Sequence, residues 1–224
     1  MSEFKFLQSK TRERTSKALE QHKKELEEMT ENPTHLFLGH SLVRHLVEQP
    51  TNKHLVDKLK KKTNNKLCIF GSSGDTIQNC LWILQQLLEQ YSETKLKDIT
   101  HVFLLCGTNN LIKLKDKPTD TKYKKCTDEI LNGYYTIIKE LEKLSNIQHI
   151  YILEIANRID VQSDLICNVN KQLLSLQNEN NKLNVLPWCK ELSLDIRSTH
   201  YYNDGVHLLT DGYEIMCKHI IDYF

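Results

Sequence analysis

The chain has 224 residues, with 30 basic and 29 acidic side chains and a formal net charge of +1. That length suits one α/β domain with a sizeable core, and the balanced charge gives no field that would favour nucleic acid or a membrane surface. The N-terminus is charged, with no apolar signal core, and no run of about eighteen apolar residues occurs, so the expectation is a soluble cytoplasmic protein without a membrane span.

In chain order, residues 9–31 mix Lys, Arg, Glu and Gln with sparse apolar positions (Ala18, Leu19, Leu26, Met29) and read as a charged helix ending before Asn32-Pro33. Such a helix either lies on the domain or forms an arm for a homodimer or partner protein, although its apolar spacing is too thin for sustained heptads. The expected organisation is residues 1–31 as this arm and 32–224 as the domain. Short apolar runs at 35–38, 66–70, 100–106, 148–153 and 183–186 predict five strands. Helical spacing appears over 42–46 (Leu42, Val43, Leu46), 76–91 (Ile77, Leu81, Leu84, Leu87, Leu88) and 126–144 (Ile130, Ile137, Ile138, Leu141, Leu144), with a final helix from Leu208 to Phe224. Trp82 reads as core packing. Near-continuous apolar strands separated by helices predict an α/β fold, a parallel sheet covered on both faces. Ligands of such sheets bind at the carboxyl ends of the strands. Residues 112–125, Lys-rich and carrying Pro118, read as a long polar connection, either a plain solvated loop or a rim.

Seven cysteines are an odd number, and Cys68, Cys80, Cys106, Cys167 and Cys217 lie in apolar settings, which favours buried free thiols over a disulfide framework. None is spaced as a zinc-binding C-x-x-C pair, so no metal is expected. Neither G-x-G-x-x-G nor a P-loop supports a nucleotide binder, and no basic footprint supports nucleic-acid binding.

Three strands end in glycine turns that carry small polar residues: Gly39-His40-Ser41, Gly71-Ser72-Ser73-Gly74-Asp75, and Gly107-Thr108-Asn109-Asn110. Near the C-terminus Asp204-Gly205-Val206-His207 adds a D-x-x-H pair. Alone, Ser41 reads as a helix N-cap, Gly74 as an ordinary turn and Asn109 as a loop cap. Together they form a set suited to acyl transfer: a nucleophile, oxyanion donors, and a base with an orienting carboxylate.

In this chain order the set resembles the SGNH (GDSL-type) hydrolases over roughly residues 35–224. Phe70-Gly71-Ser72-Ser73-Gly74-Asp75-Thr76, Leu81-Trp82, Gly107-Thr108-Asn109-Asn110 and His207-Leu208 with Gly212-Tyr213 look most like the catalytic subunits of cytosolic platelet-activating-factor acetylhydrolases. The resemblance implies a flavodoxin-like three-layer α/β/α sandwich with a five-stranded parallel sheet. It further implies a serine esterase for a small acyl ester, such as an acetyl ester, working without a cofactor. Ser41 would be the nucleophile, His207 the base and Asp204 its orienting acid, with Asp211 a nearby competitor. Ser41, Gly74 and Asn109 would form the oxyanion hole, and Asp75 and Asn110 would hold their turns. The family usually has Asp where this chain has His40. That departure would loosen the nucleophile loop or place a second titratable group beside Ser41. That departure and the charged N-terminal arm motivate the alternative of a weakened SGNH-fold binding or assembly module, and Gly39-His40-Ser41-Leu42-Val43-Arg44-His45 also resembles the esterase-like domain of a mobile-element protein.

Overall fold

The computed structural model describes residues 13–116, 119–193 and 199–224. Residues 9–12 of the expected N-terminal helix, and Lys117 and Pro118 of the polar connection, lie outside the described residues.

The strands are β1 (His35–Gly39), β2 (Leu67–Gly71), β3 (His101–Leu105), β4 (His149–Leu153) and β5 (Leu183–Leu186). All pair in parallel, in the order β2-β1-β3-β4-β5. Around them lie α1 (Glu13–Glu28), α2 (Ser41–Glu48), α3 (Lys53–Lys62), α4 (Ile77–Tyr91), α5 (Asp120–Leu141), α6 (Ser163–Leu176) and α7 (Thr210–Ile221). β1 to β4 read as near-continuous apolar runs because both faces are covered, while half-buried Asn184 interrupts β5. Alternate side chains then separate into two cores. Leu36, Leu38, Phe70, Val102, Leu104, Ile150 and Ile152 face α1, α4, α5 and α6. Phe37, Ile69, Phe103, Leu105, Tyr151 and Leu153 face α2, α3 and α7. Burying each such side chain contributes roughly 1.5–3 kcal/mol, so the three layers are held from both sides of the sheet.

Some expected bounds shift. α5 begins at Asp120, where Thr119 caps it by accepting from Lys122 N at 3.4 Å, so residues 120–125 of the expected polar connection are helical. Leu114 N donates to Asp160 O at 2.8 Å and pins that connection to the loop after β4. The seven cysteines are free thiols, but Cys167 is exposed. On α6 the inward positions are Leu165, Ile166, Val169 and Leu173, which leaves Cys167 on the outer face. The N-terminal charged segment lies on the domain: Thr15, Ala18, Leu19, His22 and Leu26 are buried, and the His22 ring stacks on Phe70 of β2 at 4.6 Å. Its sparse apolar pattern is therefore one narrow stripe, wide enough for a single contact line. Trp82 packs, partly buried, against the same core.

The chain runs from β1 outward to β2 and then returns to β3 on the other side of β1. The crevice between β1 and β3 is thus a topological switch point, where open α/β sheets place ligands. Ser41 follows β1, Gly74 follows β2 and Asn109 follows β3, so the topology brings all three to that edge.

Candidate active site

Ser41 is the first residue of α2, and the cap is His40, not the serine. His40 is fully buried, and its Nδ1 accepts from Leu42 N at 3.3 Å. That leaves Ser41 in the first turn, where N–H groups lack intrahelical partners and the helix dipole is positive. The helix sits tight against the sheet: a Cβ on Gly71 would lie 2.2 Å from Arg44 N. On the other side, Tyr213 Oη of α7 donates to Leu42 O at 2.9 Å.

His207 reaches the serine from the loop before α7. Its Nε2 lies 3.2 Å from Ser41 Oγ, and its Nδ1 lies 2.7 Å from Asp204 Oδ2. A carboxylate only accepts, so this pairing puts the ring proton on Nδ1 and leaves Nε2 free to accept the serine proton. The other carboxylate oxygen, Asp204 Oδ1, accepts from Val206 N at 2.9 Å and His207 N at 3.0 Å. Partial burial works against ionisation of Asp204, but these ring and backbone donors outweigh it and hold the carboxyl below its usual value. Asp211 lies in the first turn of α7, and the Nδ1 partner is Asp204. The loop is closed by the Tyr201–Leu208 bridge and by Tyr202 N donating to His207 O at 2.9 Å.

Gly74 and Asn109 complete the constellation. Gly74 has φ +68°, a left-handed conformation favouring glycine, and a Cβ there would lie 2.2 Å from the Arg14 guanidinium. Asn109 Nδ2 donates to Asp75 O at 2.9 Å, which fixes the amide and leaves its second hydrogen for another acceptor. Asn110 bridges to α4: its Oδ1 accepts from Ile77 N, and its Nδ2 donates to Gln78 Oε1, both at 2.8 Å. The buried Asp75 carboxylate accepts from Thr15 Oγ1 of α1 at 2.7 Å.

His40 does not act as a second titratable group near neutrality. Burial, then the charges of Arg158, His207 and His45, push its pKa down to about 3. A buried neutral imidazole is thus the helix cap here. Among the described residues, no group of three or more His, Cys, Asp or Glu side chains is placed to hold a metal ion.

Two neighbours carried no signal in the motifs. His45, four residues after Ser41 on the same helix face, packs its ring 4.6 Å from that of His207. Burial, and then the His207 charge, lower the His45 pKa. That helical spacing could have marked it. Arg158, 5% exposed, donates to Thr108 O at 3.1 Å and forks onto Asp160 with two 2.9 Å bonds. It braces the turn that carries Asn109, and nothing in its local sequence marks it.

No protein-family model matches the sequence, and no curated protein matches it significantly. Solved structures do match. A Streptococcus pneumoniae protein provisionally described as a platelet activating factor is 21% identical, with a TM-score of 0.71, covering 99% of this chain and 98% of its own. A GDSL-like lipase from Bacteroides thetaiotaomicron is 15% identical (TM-score 0.66), covering 92% of this chain and 96% of its own. The psychrotrophic esterase EstA from a Pseudoalteromonas species, inhibited by monoethylphosphonate in its structure, is 22% identical (TM-score 0.58), covering 85% and 96%. The chain therefore has the fold of the GDSL-type lipolytic hydrolases.

Proposed function

We propose that this chain is a serine esterase that hydrolyses a small acyl ester, such as an acetyl ester, through an acyl-enzyme. The observation that carries the proposal is the unbroken relay from Ser41 Oγ through His207 (3.2 Å) to Asp204 (2.7 Å), at the switch point of the sheet. Ser41 Oγ attacks the ester carbonyl as its proton passes to His207 Nε2, and Asp204 stabilises the imidazolium. The developing oxyanion receives N–H bonds from Ser41, Gly74 and the Asn109 side chain. Each such donor is worth about 2.7–4 kcal/mol in the transition state. His207 then protonates the departing alcohol. In the second half it deprotonates water, which attacks the acyl-enzyme and frees Ser41. All groups that these steps need are side chains or backbone of the chain itself.

The lipase and esterase names of structures with the same fold support this reading. The rival, a weakened binding or assembly module, drew its motive from His40 and from the charged N-terminal arm. Because His40 caps α2 as a neutral acceptor, that substitution leaves the serine turn supported. Seven free thiols favour a reducing compartment, in keeping with a cytoplasmic protein. No helix among the described residues is long and apolar enough to cross a membrane. Labelling with a fluorophosphonate, followed by peptide mapping, tests the function directly. We expect modification at Ser41 alone, with Ser41→Ala losing both labelling and hydrolysis of short aryl esters. Modification at Ser72 or Ser73 overturns the assignment.

A further inference from the structure

We propose that Thr15, on the N-terminal helix, is a positioning residue for the oxyanion hole, an inference that rests on the esterase reading above. Thr15 is fully buried, and its Oγ1 donates to Asp75 Oδ1 at 2.7 Å across 60 residues of sequence. Asp75 is itself fully buried. Its second carboxylate oxygen, Oδ2, has no partner among the described residues, and Arg14 Nε stands 4.0 Å from Oδ1. The Thr15 hydroxyl is therefore the close donor that keeps this carboxylate in one orientation, since a buried carboxylate without donors would rotate or draw in water.

The backbone of the same residue does the connecting. Asp75 O accepts from Asn109 Nδ2 at 2.9 Å, and the preceding residue is Gly74 in its left-handed turn. One peptide unit thus sits between two of the proposed oxyanion donors, and Thr15 holds its side chain from behind. Arg14 adds a cover, because its guanidinium packs on the face of Gly74 where a Cβ would stand. An oxyanion hole works only if its donors are already aimed when charge develops, and displacements near 1 Å can cost about a hundredfold in rate. The charged N-terminal helix thereby acquires a role in the site, through the only two residues of its first turn that reach the Gly74 turn in the described contacts.

The test compares Thr15→Val, Thr15→Ser and Ala18→Gly by ester kinetics and by the rate of fluorophosphonate labelling, each well below its own melting temperature. Thr15→Val should lower kcat and the labelling rate together by about tenfold or more while KM moves little, the signature of an interaction lost in the transition state. Thr15→Ser, which keeps the hydroxyl, should recover most of both. Ala18→Gly weakens the same helix without touching Asp75, so it should lower Tm and leave kcat within about twofold. If Thr15→Val proves too unstable to assay, Thr15→Ala read against Thr15→Ser carries the same comparison. Wild-type labelling with an unaffected Thr15→Val, or an Ala18→Gly loss as large as that of Thr15→Val, overturns the positioning role alone. A wild type that fails to label at Ser41 takes down the esterase reading and this inference with it.

Discussion

The two ends of the sheet both carry histidines, yet among the described contacts only one end pairs a sheet-edge histidine with both a carboxylate and a serine. At the carboxyl edge, His207 has an ionised carboxylate on one nitrogen and a serine on the other. At the opposite edge, His35, His101 and His149 occupy the first positions of β1, β3 and β4, in register. Their rings pack at 4.7 and 5.0 Å, like rungs of a ladder. His35 and His101 each pair Nδ1 with the preceding threonine hydroxyl at 2.8 Å, a neutral partner that cannot stabilise a cation as a carboxylate does. Burial, then the neighbouring His101 charge, push His35 down to about 4. His101 is lowered by burial and by the charge of His149. The same side chain is proposed as a relay at one edge and packs as a ring at the other, because its neighbours differ.

Removing the carboxylate from the first region should make its histidine behave more like those of the second. Asp204→Asn should leave the fold intact but cut kcat by about ten-thousandfold, the loss that this change brings in a serine protease. Asp211→Asn, measured alongside on the same ester, should change little. Equal losses would mean that the orienting acid has been misassigned.

The histidine ladder offers a second test, smaller in effect. Because the folded pKa of His35 lies below its ordinary value of 6.5, the neutral form is the one the fold prefers. Its contribution is therefore fully present above pH 6.5 and is lost as pH falls from there towards about 4. Thermal melting from pH 7 to pH 4.5 should show Tm dropping across this window, and His35→Phe should flatten the drop while keeping a ring in the stack. An identical slope in wild type and variant would show that the acid sensitivity lies elsewhere.

The smallest effect concerns the cap of α2. A carboxylate at position 40 could accept from more than one first-turn N–H, whereas the imidazole accepts one, at 3.3 Å. The nearby Arg158 charge, which helps keep His40 neutral, would favour a carboxylate. His40→Asp should thus raise kcat a few-fold. His40→Ala, which loses the cap, should cost about 1 kcal/mol of stability in denaturant melts. A several-fold fall in kcat for His40→Asp would give the histidine a function of its own.

Much of this architecture was legible in the chain because buried parallel strands are unbroken apolar runs, and five such runs between helices admit few arrangements. Ser41, Gly74 and Asn109 stood out because each sits just past a strand end, and Asp204 and His207 through their D-x-x-H spacing. Helices with charged outer faces were not. α3 has Leu55, Val56 and Leu59 inward among five lysines, and its pattern went unread. α6 went unread too, its inward residues spread among Asn168, Asn170 and Gln172, and the Lys-rich first turns of α5 passed for a loop. Thr15, His45 and Arg158 stayed hidden for another reason. What each does depends on a partner brought near only by folding: Asp75, 60 residues away, for Thr15; His207 for His45; Thr108, 50 residues away, for Arg158. Only the four-residue spacing from Ser41 hints at one of them, His45, and no local pattern records the other two contacts.

The segment that brings His207 to Ser41 is also structural. Leu208, Tyr213, Met216 and Ile220 are fully buried, and the Tyr223 and Phe224 rings rest on Tyr151 and Phe103 at 5.0 and 4.6 Å. Loss of everything beyond Tyr201 would keep all five strands and the serine, yet strip one side of the sheet of its cover. Such a fragment would not persist as a folded, inert copy. It would present an apolar surface of the kind that leads to aggregation or degradation, so cells would hold either the whole machine or none of it.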